Sequence, residues 1–162
     1  MRRALFVAMA GLFVLAVSAS AQAQTLTFTA NLHGGNENPG VLTGSAGTAT
    51  VTWNMATRTG TYRVDVFNMP VGTTASHIHV GAVGQNGPVV INFTVPAGGI
   101  SNDFGLTGTF ACTDLVPRAA QGINSCEDFE QALRLGNTYV NVHSTANPGG
   151  EIRGQLSTGS SF

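Results

Sequence analysis

From Thr25 onward the chain alternates. Leu26, Phe28, Ala30 and Leu32 fall on one parity, and Thr25, Thr27, Thr29 and Asn31 on the other. Ala49, Val51 and Trp53 interleave with Thr48, Thr50 and Thr52; Tyr62, Val64 and Val66 interleave with Arg63 and Asp65. A strand turns successive side chains to opposite faces, so each run buries one face and wets the other. Helical burial would need a period near 3.6 residues instead. The pattern restricts the chain to half-buried antiparallel strands. Threonine suits them, because its branched Cβ fits the pleat and its hydroxyl fits the wet face.

Further strands are expected at Ala75–Val80, Pro88–Val95, Gly105–Ala111, Thr138–Ser144 and Glu151–Leu156, about eight in all. Turn residues separate them. In Asn147-Pro148-Gly149-Gly150, proline presets position i+1 and glycine accepts positive φ at i+2, so a hairpin should join the last two strands. One segment breaks the alternation. Ser125 can cap a helix, Glu127 and Asp128 suit its positive first turn, and Gly136 can end it, which predicts a short helix at about 126–135. The expected fold is all-β: a single antiparallel β-sandwich of Greek-key type with one short helical insertion.

The first residues read as an address. Arg2 and Arg3 precede an apolar run, Ala4–Val17, and small residues up to Ala23. Ala21-x-Ala23 predicts cleavage before Gln24, with Ala19-x-Ala21 as a second candidate site. The domain plan is therefore a cleaved signal peptide at 1–23 and one domain at 24–162, secreted or periplasmic. The apolar run is shorter than the ~20 residues a spanning helix needs, so no transmembrane segment is expected after cleavage. An outer-membrane barrel would need aromatic girdles and an apolar outer band, which Thr-rich faces do not supply. Export also sets the redox context. Cys112 and Cys126 are the only cysteines, and an oxidising compartment makes them a disulfide.

Charge narrows the partners. Only 9% of residues are charged, against roughly 25% in an average domain, and every basic residue is arginine. Without Arg2 and Arg3 the balance is five arginines against eight acids. No basic footprint exists for phosphates, so nucleic acid is excluded as a partner. Carboxylates are too sparse to nominate a glycosidase pair, and no nucleophile motif with its context is present. The remaining partners are an extracytoplasmic protein or a small ligand.

Four histidines remain: His33, His77, His79 and His143. His77 and His79 are two apart on an expected strand, so both imidazoles share its polar face while Ile78 and Val80 face the core. In Tyr139–His143 the valines take the core and Tyr139, Asn141 and His143 the polar face. If these strands are neighbours, His143 is a third donor, and three imidazoles suit copper or zinc. The competing reading is structural: His77 and His79 hydrogen-bond the glycine-rich loop that follows. His33, at a strand end beside Gly34-Gly35, is the weakest candidate. Glu151 and Arg153 share a face if both lie on a strand. They either pair with each other, or Arg153 donates to loop carbonyls near the histidines, or they recognise a ligand.

These segments resemble a known family. Ser76-His77-Ile78-His79-Val80-Gly81 with Gly84-Gln85-Asn86-Gly87-Pro88-Val89-Val90 resembles the central HIH…GxxGPVV signature of the CHRD domain, named after chordin. Tyr139–Ser144 with Asn147-Pro148 and Gly150–Leu156 is similar to its YVNVHT…NPxGEIRGQ ending, and Leu32–Pro39 is similar to its opening. The likeness spans about 33–157, with Cys112–Cys126 as an apparent insertion. His33 stands where the family usually has a small polar residue. The resemblance implies an extracellular fold more than an activity. The expected function is a non-catalytic binding or structural module; the alternative is a single copper or zinc site on the His-x-His strand. A strand of this kind also resembles copper–zinc superoxide dismutase, but a dismutase needs a second His cluster and an aspartate that this chain lacks.

Overall fold

A computed structural model describes residues 24–159; the expected signal peptide, 1–23, lies outside them. Eight strands and one helix follow in the order β1 (Thr25–His33), β2 (Ala46–Asn54), β3 (Thr59–Met69), β4 (Thr73–Val80), β5 (Val89–Phe93), β6 (Asn102–Ala111), α1 (Cys126–Arg134), β7 (Thr138–Ser144) and β8 (Ile152–Gln155). Paired strands are all antiparallel. They form one eight-stranded sheet in the order β5-β4-β7-β8-β1-β2-β3-β6. The all-β expectation holds, with α1 as its short helix. The two sheets of a sandwich are instead joined in one continuous ladder.

That sheet curls nearly into a barrel. Its two edge strands, β5 and β6, come into contact. Tyr62 of β3 stacks on Phe93 of β5 with ring centroids 3.8 Å apart, and its hydroxyl accepts from the Thr94 N–H at 3.0 Å. Curling follows from strand twist and leaves one enclosed core. Phe28, Leu32, Val51, Val64, Ile78, Val140 and Ile152 line it with no exposed surface. Each such side chain contributes roughly 1.5–3 kcal/mol. The alternating threonines of β1 and β2 stand outside, as the period-two pattern requires.

The helix closes one side of this core. Phe129 meets Trp53 edge-on at 5.7 Å, and Trp53 lies over Phe110 of β6 at 5.8 Å. Ser125 caps α1 by accepting from the Asp128 N–H, while Asp128 accepts from the Ser125 N–H. Gly136, at φ 66°, follows its end. Cys112 and Cys126 are bonded, their Cα atoms 5.7 Å apart, which ties the helix to the end of β6 and fits an oxidising compartment. Among the described residues no helix is long and apolar enough to cross a membrane.

The outer face is not uniformly wet. Every residue of β7 is buried, on both faces. Three connections cover it: the segment between β1 and β2, the β4–β5 loop and the β7–β8 turn. Asn38 and Asn86 lock the first two together, each donating its side-chain amide to the other loop, to Gly84 O at 2.8 Å and Asn38 O at 2.6 Å. The β7–β8 turn forms where expected, with Gly150 N–H donating to Asn147 O at 3.0 Å. Its positive φ falls one residue later than predicted, at Gly150 rather than Gly149.

Candidate metal centre

β4 and β7 are neighbours, and that pairing assembles the site. His77 lies opposite Asn141 and His79 opposite Tyr139, while His143 lies opposite Ala75. His143 is therefore diagonal to His77 on the same face, within reach of a long side chain. Ring centroids are 5.5 Å apart for His77 and His79, 5.0 Å for His77 and His143, and 5.9 Å for His79 and His143. One nitrogen from each ring lies within 4.8 Å of the other two. His33 is not part of this cluster. It sits exposed on β1, opposite Arg153 of β8.

Hydrogen bonds decide which nitrogens face inward. His79 Nδ1 lies 2.8 Å from Gly87 O, so it carries the proton and leaves the Nε2 lone pair free. His143 Nδ1 lies 2.9 Å from Pro148 O, with the same consequence. The expected bonds from histidine to the glycine-rich loop thus exist for His79, and they orient the ring. His77 Nδ1 points at His143 Nε2 from 3.1 Å. Two nitrogens on one tetrahedral ion with bonds of 2.0–2.1 Å stand about 3.3 Å apart. His79 Nε2 is buried and has no hydrogen-bond partner.

Burial also sets the charge of the rings. His79 and His143 are 8% and 9% exposed, and His77 is half-buried. Desolvation, then the neighbouring His143 and His79, lower the His77 pKa from 6.5 to about 4. Desolvation also brings His79 to about 4, against the opposing Gly87 hydrogen bond. Desolvation lowers His143 as well, with the Pro148 carbonyl opposing. All three imidazoles are neutral at pH 7, the form in which they bind metals.

A second layer holds these rings. Tyr139 stacks on His79 with centroids 4.9 Å apart and planes 12° apart, and the Arg153 guanidinium lies 4.7 Å over Tyr139. The Tyr139 hydroxyl accepts from the Gly87 N–H at 3.0 Å and donates to Gly87 O at 3.3 Å, so it steadies the carbonyl that orients His79. Gly87 must be glycine, since a Cβ there would sit 1.6 Å from Val80 O. Arg153, 4% exposed, donates to Asn36 O at 2.5 Å and Asn86 Oδ1 at 2.8 Å, joining two covering loops.

Glu151 takes no part in an ion pair with Arg153. It precedes β8, and its carboxylate accepts from Thr43 at 2.5 Å, Ser144 at 2.7 Å and Asn147 at 2.5 Å. Burial pushes its pKa up, but these donors and Ser45 outweigh burial and the net shift is downward. Of the three readings for this pair, the ion pair is not formed and donation from Arg153 to loop carbonyls is observed.

Two residues were not singled out from the sequence. Parity places Tyr139 on the polar face without a role, and Glu37 enters only as part of the Leu32–Pro39 opening. Glu37 is buried against Gly150, where a Cβ would meet both Glu37 Oε1 and the Asn141 amide at 2.7 Å. Glu37 Oε1 and Asn141 Oδ1 are both buried without a hydrogen-bond partner. Desolvation raises the Glu37 carboxyl to about 7, against the pull of Arg153 and Asn141. In Gly35-Asn36-Glu37-Asn38-Pro39 this glutamate belongs to the family-like opening, but no residue spacing of a known site gives it a chemical role.

No curated protein and no solved structure matches the chain. The family model described as the CHRD domain matches residues 28–156, from β1 through β8 and including every residue of the cluster. The chain belongs to the CHRD-domain family.

Proposed function

We propose that this CHRD domain is an exported, non-catalytic binding module whose ligand is a single copper or zinc ion, held by His77 Nδ1, His79 Nε2 and His143 Nε2. The observation that carries the reading is the buried, unpartnered Nε2 of His79 beside two other inward-facing nitrogens. A proton shared between His77 and His143 would satisfy those two rings and leave His79 Nε2 bare. An ion satisfies all three, and so offsets the cost of a buried acceptor, about 1–3 kcal/mol. The carbonyls of Gly87 and Pro148 supply the outer hydrogen bonds that orient metal-binding imidazoles. The structural reading of the histidines does not compete, because loop-holding uses the Nδ1 atoms of His79 and His143 and leaves their Nε2 atoms for the ion.

Three neutral nitrogens with no thiolate or carboxylate suit Cu(II) or Zn(II) over calcium or magnesium. The set is too small for the two metals of a dismutase. Export is supported by the N-terminal pattern of Arg2–Ala23 and by the disulfide. The test is metal analysis of protein exported and purified without a histidine tag, followed by titration of the stripped protein. One equivalent of copper or zinc, lost in His77→Ala/His79→Ala, is expected. Substoichiometric metal with no saturable binding on titration ends the reading.

A further inference from the structure

We infer that the ion-loaded site takes a small inorganic anion at an open coordination position beside His77. This rests on the metal-binding reading above. All three ligands are neutral imidazoles, so a divalent ion keeps its full charge unless a carboxylate compensates it. None of the eight acids does so. No carboxylate oxygen joins the histidine cluster. Asp65, Asp103 and Asp114 are bound to Arg63, the Asn68 N–H and the Ala111 N–H. Glu127, Asp128 and Glu130 are engaged around α1 with Arg58, the helix cap and Trp53. Glu151 is occupied by hydroxyls and a carboxamide, and Glu37 packs on Asn141 and Gly150.

The charged groups that face His79 are instead cationic. Arg153 covers Tyr139, whose ring stacks on His79. Arg118 donates its Nε–H to Val89 O at 2.8 Å, and Val89 is the residue paired with His79 across β4 and β5. A dication among neutral donors and two guanidinium groups attracts an anion, as low-dielectric surroundings strengthen the field. Three protein ligands also leave a position open, as in catalytic rather than structural metal sites. Access is narrow. His79 and His143 are more than nine-tenths buried and His77 is the most exposed of the three, so approach is past its ring and the ligand is limited to a few atoms.

The probe is azide, titrated into the Cu(II)-loaded chain. A saturable azide-to-copper charge-transfer band with one azide per copper is expected, with a matching change in the electron paramagnetic resonance spectrum. The band should be absent in His143→Ala. Arg118→Gln should weaken azide binding about threefold while copper stoichiometry stays at one, because it removes a nearby positive charge. Copper bound at one equivalent, with no band and an unchanged spectrum at high azide, overturns this inference alone. Failure to bind copper overturns this inference, and failure to bind zinc as well overturns the metal-binding reading with it.

Discussion

On β2 and β3, Thr52 and Thr61 face outward and share a 2.7 Å hydrogen bond in water. On β4 and β7, His77 and His143 stand on the outer face too, but beneath three connecting segments. Both regions alternate apolar and polar residues over the same core. They differ in what lies above the polar face. Where nothing covers it, hydroxyls suffice, and the Arg63–Asp65 pair is an exposed bridge worth about 0–1 kcal/mol. Where loops cover it, every polar group needs a partner, so each is specified individually. Arg153, Glu151 and the Nδ1 atoms of His79 and His143 have theirs within the chain; His79 Nε2, Glu37 Oε1 and Asn141 Oδ1 do not. Covering a polar face therefore converts a generic strand into a site.

The comparison can be broken by substitution in each region. The largest effect is expected from His143→Ala. Metal affinity should fall by at least about 100-fold, a larger loss than that of an outer-layer partner, in competition with a chromogenic chelator. Arg153→Ala should follow, with a loss of about 2–3 kcal/mol in urea unfolding, since it strands buried acceptors in two loops. An Arg153→Ala protein as stable as the parent would mean that the cover is not held by this side chain.

Next comes pH. In the ion-free protein His77 and His79 titrate near 4 when folded, against 6.5 in the unfolded chain. Their contribution is complete above pH 6.5 and is lost as pH falls toward 4, by on the order of 1 kcal/mol per pH unit for each ring. Glu37 opposes this, because its folded value near 7 lies above the unfolded 4.5. Its contribution is complete below pH 4.5 and is lost as pH rises toward 7. Glu37→Gln should therefore steepen the rise of stability between pH 4.5 and 6.5, as read from urea midpoints. Identical pH profiles for the two proteins would contradict the buried-carboxyl assignment.

Tyr139→Phe keeps the stack on His79 and deletes the clamp on Gly87. Metal affinity should fall about tenfold at unchanged stoichiometry. The smallest effect belongs to the open face: Thr61→Ala should change stability by less than about 0.5 kcal/mol and leave metal binding unaltered.

Much of the architecture was legible in the alternation itself. The Thr138–Ser144 strand has its expected bounds, and α1 begins at Cys126 behind the Ser125 cap. Tyr139, Asn141 and His143 occupy the face that parity assigned. The join of the sheet was not legible, because β1 meets β8 through pairings more than a hundred residues apart, and local patterning carries no such information. The site was half legible. His77 and His79 are marked by spacing, and His143 by parity once β4 and β7 are neighbours. Glu37 lies in the family-like opening, but its burial was not legible, because it comes from a loop folding over a distant strand. Of the readings open for Glu151 and Arg153, the ion pair is not formed, because each side chain is taken up by other partners.

The most direct test is an anomalous diffraction map of crystals grown with one equivalent of Zn(II), collected at the zinc edge. A single peak bonded at about 2.0–2.1 Å to His77 Nδ1, His79 Nε2 and His143 Nε2 is the expected result. No peak there, or zinc bound only through exposed histidines such as His33, would contradict it.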